Sequence, residues 1–147
     1  MSAQEVVAAH LARVDAVKPR VNAITRLNPA AMAEAAEIDR AVADGAILPL
    51  AGVPVTIKDN IDVAGQTTPN GVPALNQTAA SVDAPSVASL RAAGAVVFGR
   101  TNTPEFSWRW HTDNLLFGPT LNPWNPALTP GGSRAGRPQR WQQDLDA

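Results

Sequence analysis

Three times along this chain a helix-type pattern is followed by a short strand-type run, and that recurrence limits the possible folds more than any other feature. The first helix pattern covers residues 2 to 17. Ser2 stands as the N-cap with Glu5 three positions on, and Val7, Leu11 and Val14 fall on one face. Pro19 is expected to end this helix, and Val21 to Leu27 reads as a short strand. Asn28-Pro29 then opens a second helix and Gly45 closes it, with Ala31, Ala35, Ile38 and Val42 on the face to be buried.

In LPLAGVPVTIKDN the period changes. Val53, Val55 and Ile57 alternate with Pro54 and Thr56, as in a half-buried strand, which leaves Lys58 at the strand's C-terminal end. A third helix runs from Pro85 or Ser86 to Ala93 with Gly94 as its stop, and residues 95 to 98, AVVF, follow as a buried strand. Helix and strand alternating in this way predict an α/β architecture. From Thr101 onward, prolines at 104, 119, 123, 126 and 130 are too closely spaced for long helices.

At 147 residues, with 45% hydrophobic and 17% charged, the chain has the make-up of one globular domain and not of a disordered segment. The net charge is −1 and the basic residues are dispersed, so a nucleic-acid partner is not expected. There is no cysteine, which excludes disulfides, thiolate metal sites and a cysteine nucleophile. Glu5 and His10 interrupt what a signal peptide would need as its apolar core, and no later run approaches ~18 apolar residues. A cytoplasmic, soluble protein without a membrane partner is the expectation.

Lys58 follows a buried strand pattern, where its amine could enter a crevice and lose hydration. Desolvation favours the neutral amine, which can accept a proton and so activate a serine without histidine. On local sequence alone, a solvated strand-end lysine beside Asp59 is the competing reading. Gly131-Gly132-Ser133 offers a closely approachable backbone and a hydroxyl able to relay protons, and equally reads as a flexible loop. His111 has no acid or nucleophile at a telling spacing and receives no role. Trp108 and Trp110 are expected to be buried or to line a pocket. No cluster of residues has metal-ligand spacing, so neither metal nor cofactor is expected.

Three separated segments, LAGVPVTIKDNIDVAGQTT, DAPSVASLRAAGAVVFGRTNTPEF and HTDNLLFGPTLNPWNPALTPGGS, occur in the order found in amidase-signature enzymes. Over residues 1 to 133 the chain resembles the N-terminal part, about one third, of a member of that family. The resemblance implies an α/β/α fold around a mixed central sheet. It also implies hydrolysis of carboxylic amides to acid and ammonia or amine by Ser-Ser-Lys chemistry. Some members instead serve as the amidase subunit of a tRNA-dependent amidotransferase. The family's lysine base maps onto Lys58, and the relay serine of its Gly-Gly-Ser-Ser-Gly-Gly motif maps onto Ser133.

The chain departs from that motif directly afterwards, with Arg134 in place of the second serine and Ala135 in place of a glycine. The family's nucleophilic serine lies further downstream, beside a glycine-rich loop that forms the oxyanion hole. None of the fourteen residues after Ser133 provides an equivalent. The expectation is therefore an amidase-type segment, inactive alone, over residues 1 to 133, and an unrelated tail over 134 to 147. The arginine- and glutamine-rich RAGRPQRWQQ has the composition of GC-rich codons read out of frame. A non-catalytic interaction module is the alternative.

Overall fold

The computed structural model describes residues 1–131. Helix α1 (Ala3–Val21) begins with a full capping box, in which Ser2 Oγ accepts from the Glu5 amide at 3.1 Å and Glu5 Oε2 accepts from the Ser2 amide at 2.7 Å. A carboxylate from elsewhere in the chain completes this end. Asp39 Oδ1 accepts from the Ala3 amide at 2.6 Å and Oδ2 from the Gln4 amide at 3.1 Å, satisfying first-turn donors that have no partner inside the helix.

Pro19 does not end α1, contrary to the sequence expectation. It sits in the last turn, where a missing N–H forfeits a single helical bond, and the helix continues to Val21. Asn22 then takes a left-handed conformation (φ 50°) and donates its amide to the Lys18 carbonyl at 2.8 Å. The strand that follows, β1, is accordingly shorter than expected, Ile24–Leu27.

Helix α2 (Ala31–Ala43) starts two residues after Pro29. Asn28 Oδ1 accepts from the Ala30 amide at 3.0 Å, so Asn28 shapes the turn before the helix and does not cap it directly. Ala31 and Ala35 are buried and Ile38 packs beside them, whereas Val42, expected on the same face, is exposed. Strand β2 (Pro54–Lys58), helix α3 (Pro85–Ala92) and strand β3 (Val96–Thr101) complete the regular elements. Gly94 turns the chain from α3 into β3 at φ 92°, a conformation glycine adopts without penalty.

The sheet order is β1-β3-β2. β3 is central, antiparallel to β1 and parallel to β2, so the sheet is mixed. β3 reads VVFGRT and runs three residues beyond the expected AVVF, because β1 and β2 both pair along it. Its side chains alternate between two cores. Val96 and Phe98 pack with Ala3, Val7 and Val14 of α1 and Ala31 and Ala35 of α2. Val97 packs on the other face with Ile57 and with Val87 of α3. Helices thus cover both faces, giving the α/β/α layering, and β3 is apolar on both sides as a central strand must be.

Gly99 explains why a glycine interrupts that strand. A β-carbon there would lie 2.9 Å from the Arg26 carbonyl oxygen, closer than such contacts occur, so only glycine lets β1 approach.

Candidate active site

Because β2 and β3 are parallel and adjacent, their C-terminal ends open on the same side, and Lys58 pairs in register with Thr101 there. In open α/β sheets this end is where ligands bind. Lys58 is half-buried. The ion pairs of its neighbour Asp59 are made with arginines.

Asp59 is fully buried and meets two arginines, Arg26 from β1 and Arg100 from β3. The Arg100 guanidinium is equally buried, 3.6 Å from the carboxylate. Its Nη2 also donates to the Ile61 carbonyl at 2.7 Å and to the Lys58 carbonyl at 3.3 Å. A cation from the central strand therefore holds the backbone on both sides of the turn that carries Lys58. Arg26 ties the same carboxylate to the Thr67 carbonyl, to which it donates at 2.9 Å. Burial pushes the Asp59 carboxyl up from its ordinary value, against the hydrogen bond and charge of Arg26 and the charge of Arg100. Burial likewise lowers Arg100, with Asp59 opposing.

Beyond β3 the chain forms a loop held by buried asparagines. Asn102 Nδ2 donates to the Gly118 carbonyl and Thr120 Oγ1 at 3.0 and 3.1 Å. Asn114 Nδ2 donates to Asn102 Oδ1 at 2.7 Å and to the Thr103 carbonyl at 2.8 Å. The loop so fixed includes a short 3-10 turn, Glu105–Ser107, in which Phe106 and Ser107 both have positive φ, 49° and 62°. Two consecutive non-glycine residues in that region are costly and persist only where their surroundings enforce them.

This turn brings Ser107 over Lys58. Lys58 Nζ donates to Ser107 Oγ at 2.9 Å, and Asn60 Nδ2 donates to the same oxygen at 3.1 Å. Thr103 Oγ1 lies 3.0 Å from it. Sequence reasoning singled out Lys58 and did not single out Ser107, Asn60 or Thr103. Ser107 lies 49 residues from Lys58, just past the TNTPEF segment, and no local pattern links the two. Ser133, the expected relay, and the tail over 134 to 147 lie outside the described residues.

The two tryptophans are not buried: Trp108 is 85% exposed and Trp110 67%. They follow the 3-10 turn on a stretch whose backbone is spent on placing Ser107, and Phe106, Leu115 and Trp124 are exposed with them. His111 is half-buried. Among the described residues no group of three or more His, Asp or Glu side chains is placed to hold a metal ion, and no helix is long and apolar enough to cross a membrane.

A mixed sheet between helical layers is the fold this chain shares with amidase-signature enzymes. Solved structures agree. The peptide amidase of Stenotrophomonas maltophilia superposes with a TM-score of 0.84 at 36% identity, covering 91% of this chain and 29% of that one. A bacterial aryl acylamidase of the amidase signature family gives a TM-score of 0.84 at 32% identity, over 91% and 29%.

The chain belongs to the amidase family, whose model matches residues 5–137. It is 51% identical over 138 residues to an indoleacetamide hydrolase of Bradyrhizobium diazoefficiens, spanning 92% of this chain and 26% of that protein. It is 42% identical over 138 residues to a glutamyl-tRNA(Gln) amidotransferase subunit of Synechococcus, spanning 92% and 28%. The chain thus spans little more than a quarter of the length of these curated relatives.

Proposed function

We propose that this chain carries the base-bearing part of a carboxylic amide hydrolase site, with Lys58 as the proton acceptor and Ser133 as the hydroxyl that relays the proton. The observation that carries the reading is the placement of Lys58. It is half-buried at the carboxyl end of β2 beside the parallel β3, with its amine held by a hydroxyl at 2.9 Å and its backbone stapled by Arg100. Such an amine, when neutral, takes a proton from a serine as the hydroxyl attacks the amide carbonyl. The amide nitrogen leaves protonated as ammonia or amine, and water then releases the acid.

We assign neither the family's nucleophile nor its oxyanion loop to any of residues 1 to 147. The loss of one oxyanion donor alone costs about 3 kcal/mol of transition-state stabilisation, so this polypeptide by itself is proposed to be inactive. Of the two activities named among the relatives, hydrolysis of a small primary amide with an aromatic group is favoured over the amidotransferase role, because the hydrolase relative is the more similar, 51% against 42%.

A chimera tests the role of Lys58, and the 147-residue chain by itself tests the inactivity. Residues 1–131 replace the matching segment of the Bradyrhizobium hydrolase, and indoleacetamide hydrolysis is followed by ammonia release. The chimera is expected to be active, and Lys58→Ala to lower kcat at least ~10³-fold, the scale set by loss of a general base with its nucleophile activation. An active chimera indifferent to Lys58→Ala refutes the assignment. Hydrolysis by the 147-residue chain alone refutes the proposed inactivity.

A further inference from the structure

We propose that Ser107 is a positioning residue for Lys58: it holds one N–H of the amine and so aims the amine's lone pair at a different hydroxyl. The inference rests on Lys58 being the base, and extends it to a residue outside the three matching segments. Hydrogen counting carries the argument. Thr103 Oγ1 donates its single proton to the Pro104 carbonyl at 3.2 Å. Because Thr103 can give its proton to that carbonyl, we assign Ser107 as the donor in the 3.0 Å contact between Thr103 Oγ1 and Ser107 Oγ. With its only proton committed to Thr103, Ser107 Oγ is an acceptor toward its other two neighbours, Lys58 Nζ at 2.9 Å and Asn60 Nδ2 at 3.1 Å. Both of its lone pairs are then filled.

The protons in this chain all run one way, from Lys58 to Ser107, from Ser107 to Thr103, and from Thr103 to a backbone carbonyl. Lys58 is a donor in the contact whether charged or neutral. A neutral amine has two N–H bonds and one lone pair, and spending an N–H on Ser107 turns the lone pair away from it at the tetrahedral angle. Ser107 is consequently not the hydroxyl that Lys58 deprotonates. Its backbone fits a fixed support: Phe106 and Ser107 are held at positive φ by a loop anchored through Asn102 and Asn114, and Phe106 donates its amide to the Asn70 carbonyl at 2.9 Å.

The chain has two lysines, Lys18 and Lys58, so one serves as the internal standard for the other. Trace acetic anhydride is applied to the 147-residue chain, and the ratio of acetylation at Lys58 to that at Lys18 is read by peptide mass spectrometry. Ser107→Ala removes the acceptor and keeps the Cβ. It is expected to raise the ratio about three- to tenfold, the worth of one hydrogen bond from an amine. Thr103→Val frees the Ser107 proton to compete for the contact and is expected to raise it less, by about twofold, and it serves on its own if Ser107→Ala does not fold. A ratio unchanged in the folded variants overturns the proposal. So does covalent modification of Ser107 in the wild-type chain by a fluorophosphonate, which would mark it as an activated nucleophile. Neither readout needs amide turnover, so a failure here leaves the chimera test of Lys58 as the base standing.

Discussion

Replacing Arg100 by methionine tests whether the buried arginine pair organises the mouth of the sheet. The side chain it removes is fully buried and contacts the Asp59 carboxylate and the Ile61 and Lys58 carbonyls. Methionine has similar reach and leaves little void, so the cost is electrostatic. Breaking a buried pair from one side costs about 3–5 kcal/mol, because the remaining charge stays dry. Among the described residues Asp59 Oδ2, Arg26 Nε and Arg100 Nε already lack hydrogen-bond partners, which places the expected loss toward the lower end, about 3 kcal/mol.

The double variant Asp59→Leu, Arg100→Met removes the carboxylate as well. The Arg26 side chain, 28% exposed, can then turn to water. The double variant is expected to be less destabilised than the sum of the single ones by at least about 1.5 kcal/mol. Urea unfolding followed by far-UV circular dichroism, at constant m, measures all four proteins. A loss below about 1 kcal/mol for Arg100→Met, or additivity within about 0.5 kcal/mol, refutes the reasoning.

Two further changes read separate parts of the scaffold. The Asp39 carboxyl is held below its ordinary value chiefly by the Ala3 amide, so its contribution is present above the unfolded value of 3.8 and is lost as pH falls through the depressed one. Asp39→Asn is expected to flatten the fall of the urea midpoint over that acid range, and an unchanged pH slope counts against the cap. Asp59 has the opposite sign: raised by burial, its charge opposes folding at neutral pH, and that opposition is relieved as pH drops through the raised value. Gly99→Ala places a methyl 2.9 Å from the Arg26 carbonyl and is expected to cost about 1–3 kcal/mol by prising β1 from β3. Hydrogen exchange should then rise in β1 before α3, and uniform protection would contradict the close approach.

Local patterns announced the elements well where one short-range interaction governs them. The capping box of α1, the Gly94 stop of α3 and the alternation that leaves Lys58 at the end of β2 all rest on neighbours within a few residues. Expectations failed where distant contacts decide. Pro19 stays inside α1, and the Asn22 cap after it is supported from Phe117 and Pro119, whose carbonyls accept from Asn22 Nδ2 at 2.6 and 3.0 Å. β3 extends to Thr101 because two strands pair with it, and Trp108 and Trp110, for which burial was one expectation, are exposed.

By itself the sequence determined the alternation of helices and strands, the family, and the lysine that ends a parallel strand, because periodicity and motif order are properties of the chain's own spacing. Only the tertiary structure decided that Asp59 pairs with Arg26 and Arg100, and that Lys58 meets Ser107. Those pairings join residues 33 to 49 positions apart. Hydrogen bonds and charges act through a few ångströms of space, and the register of β1, β2 and β3, set by the packing of the whole fold, brings those residues within reach.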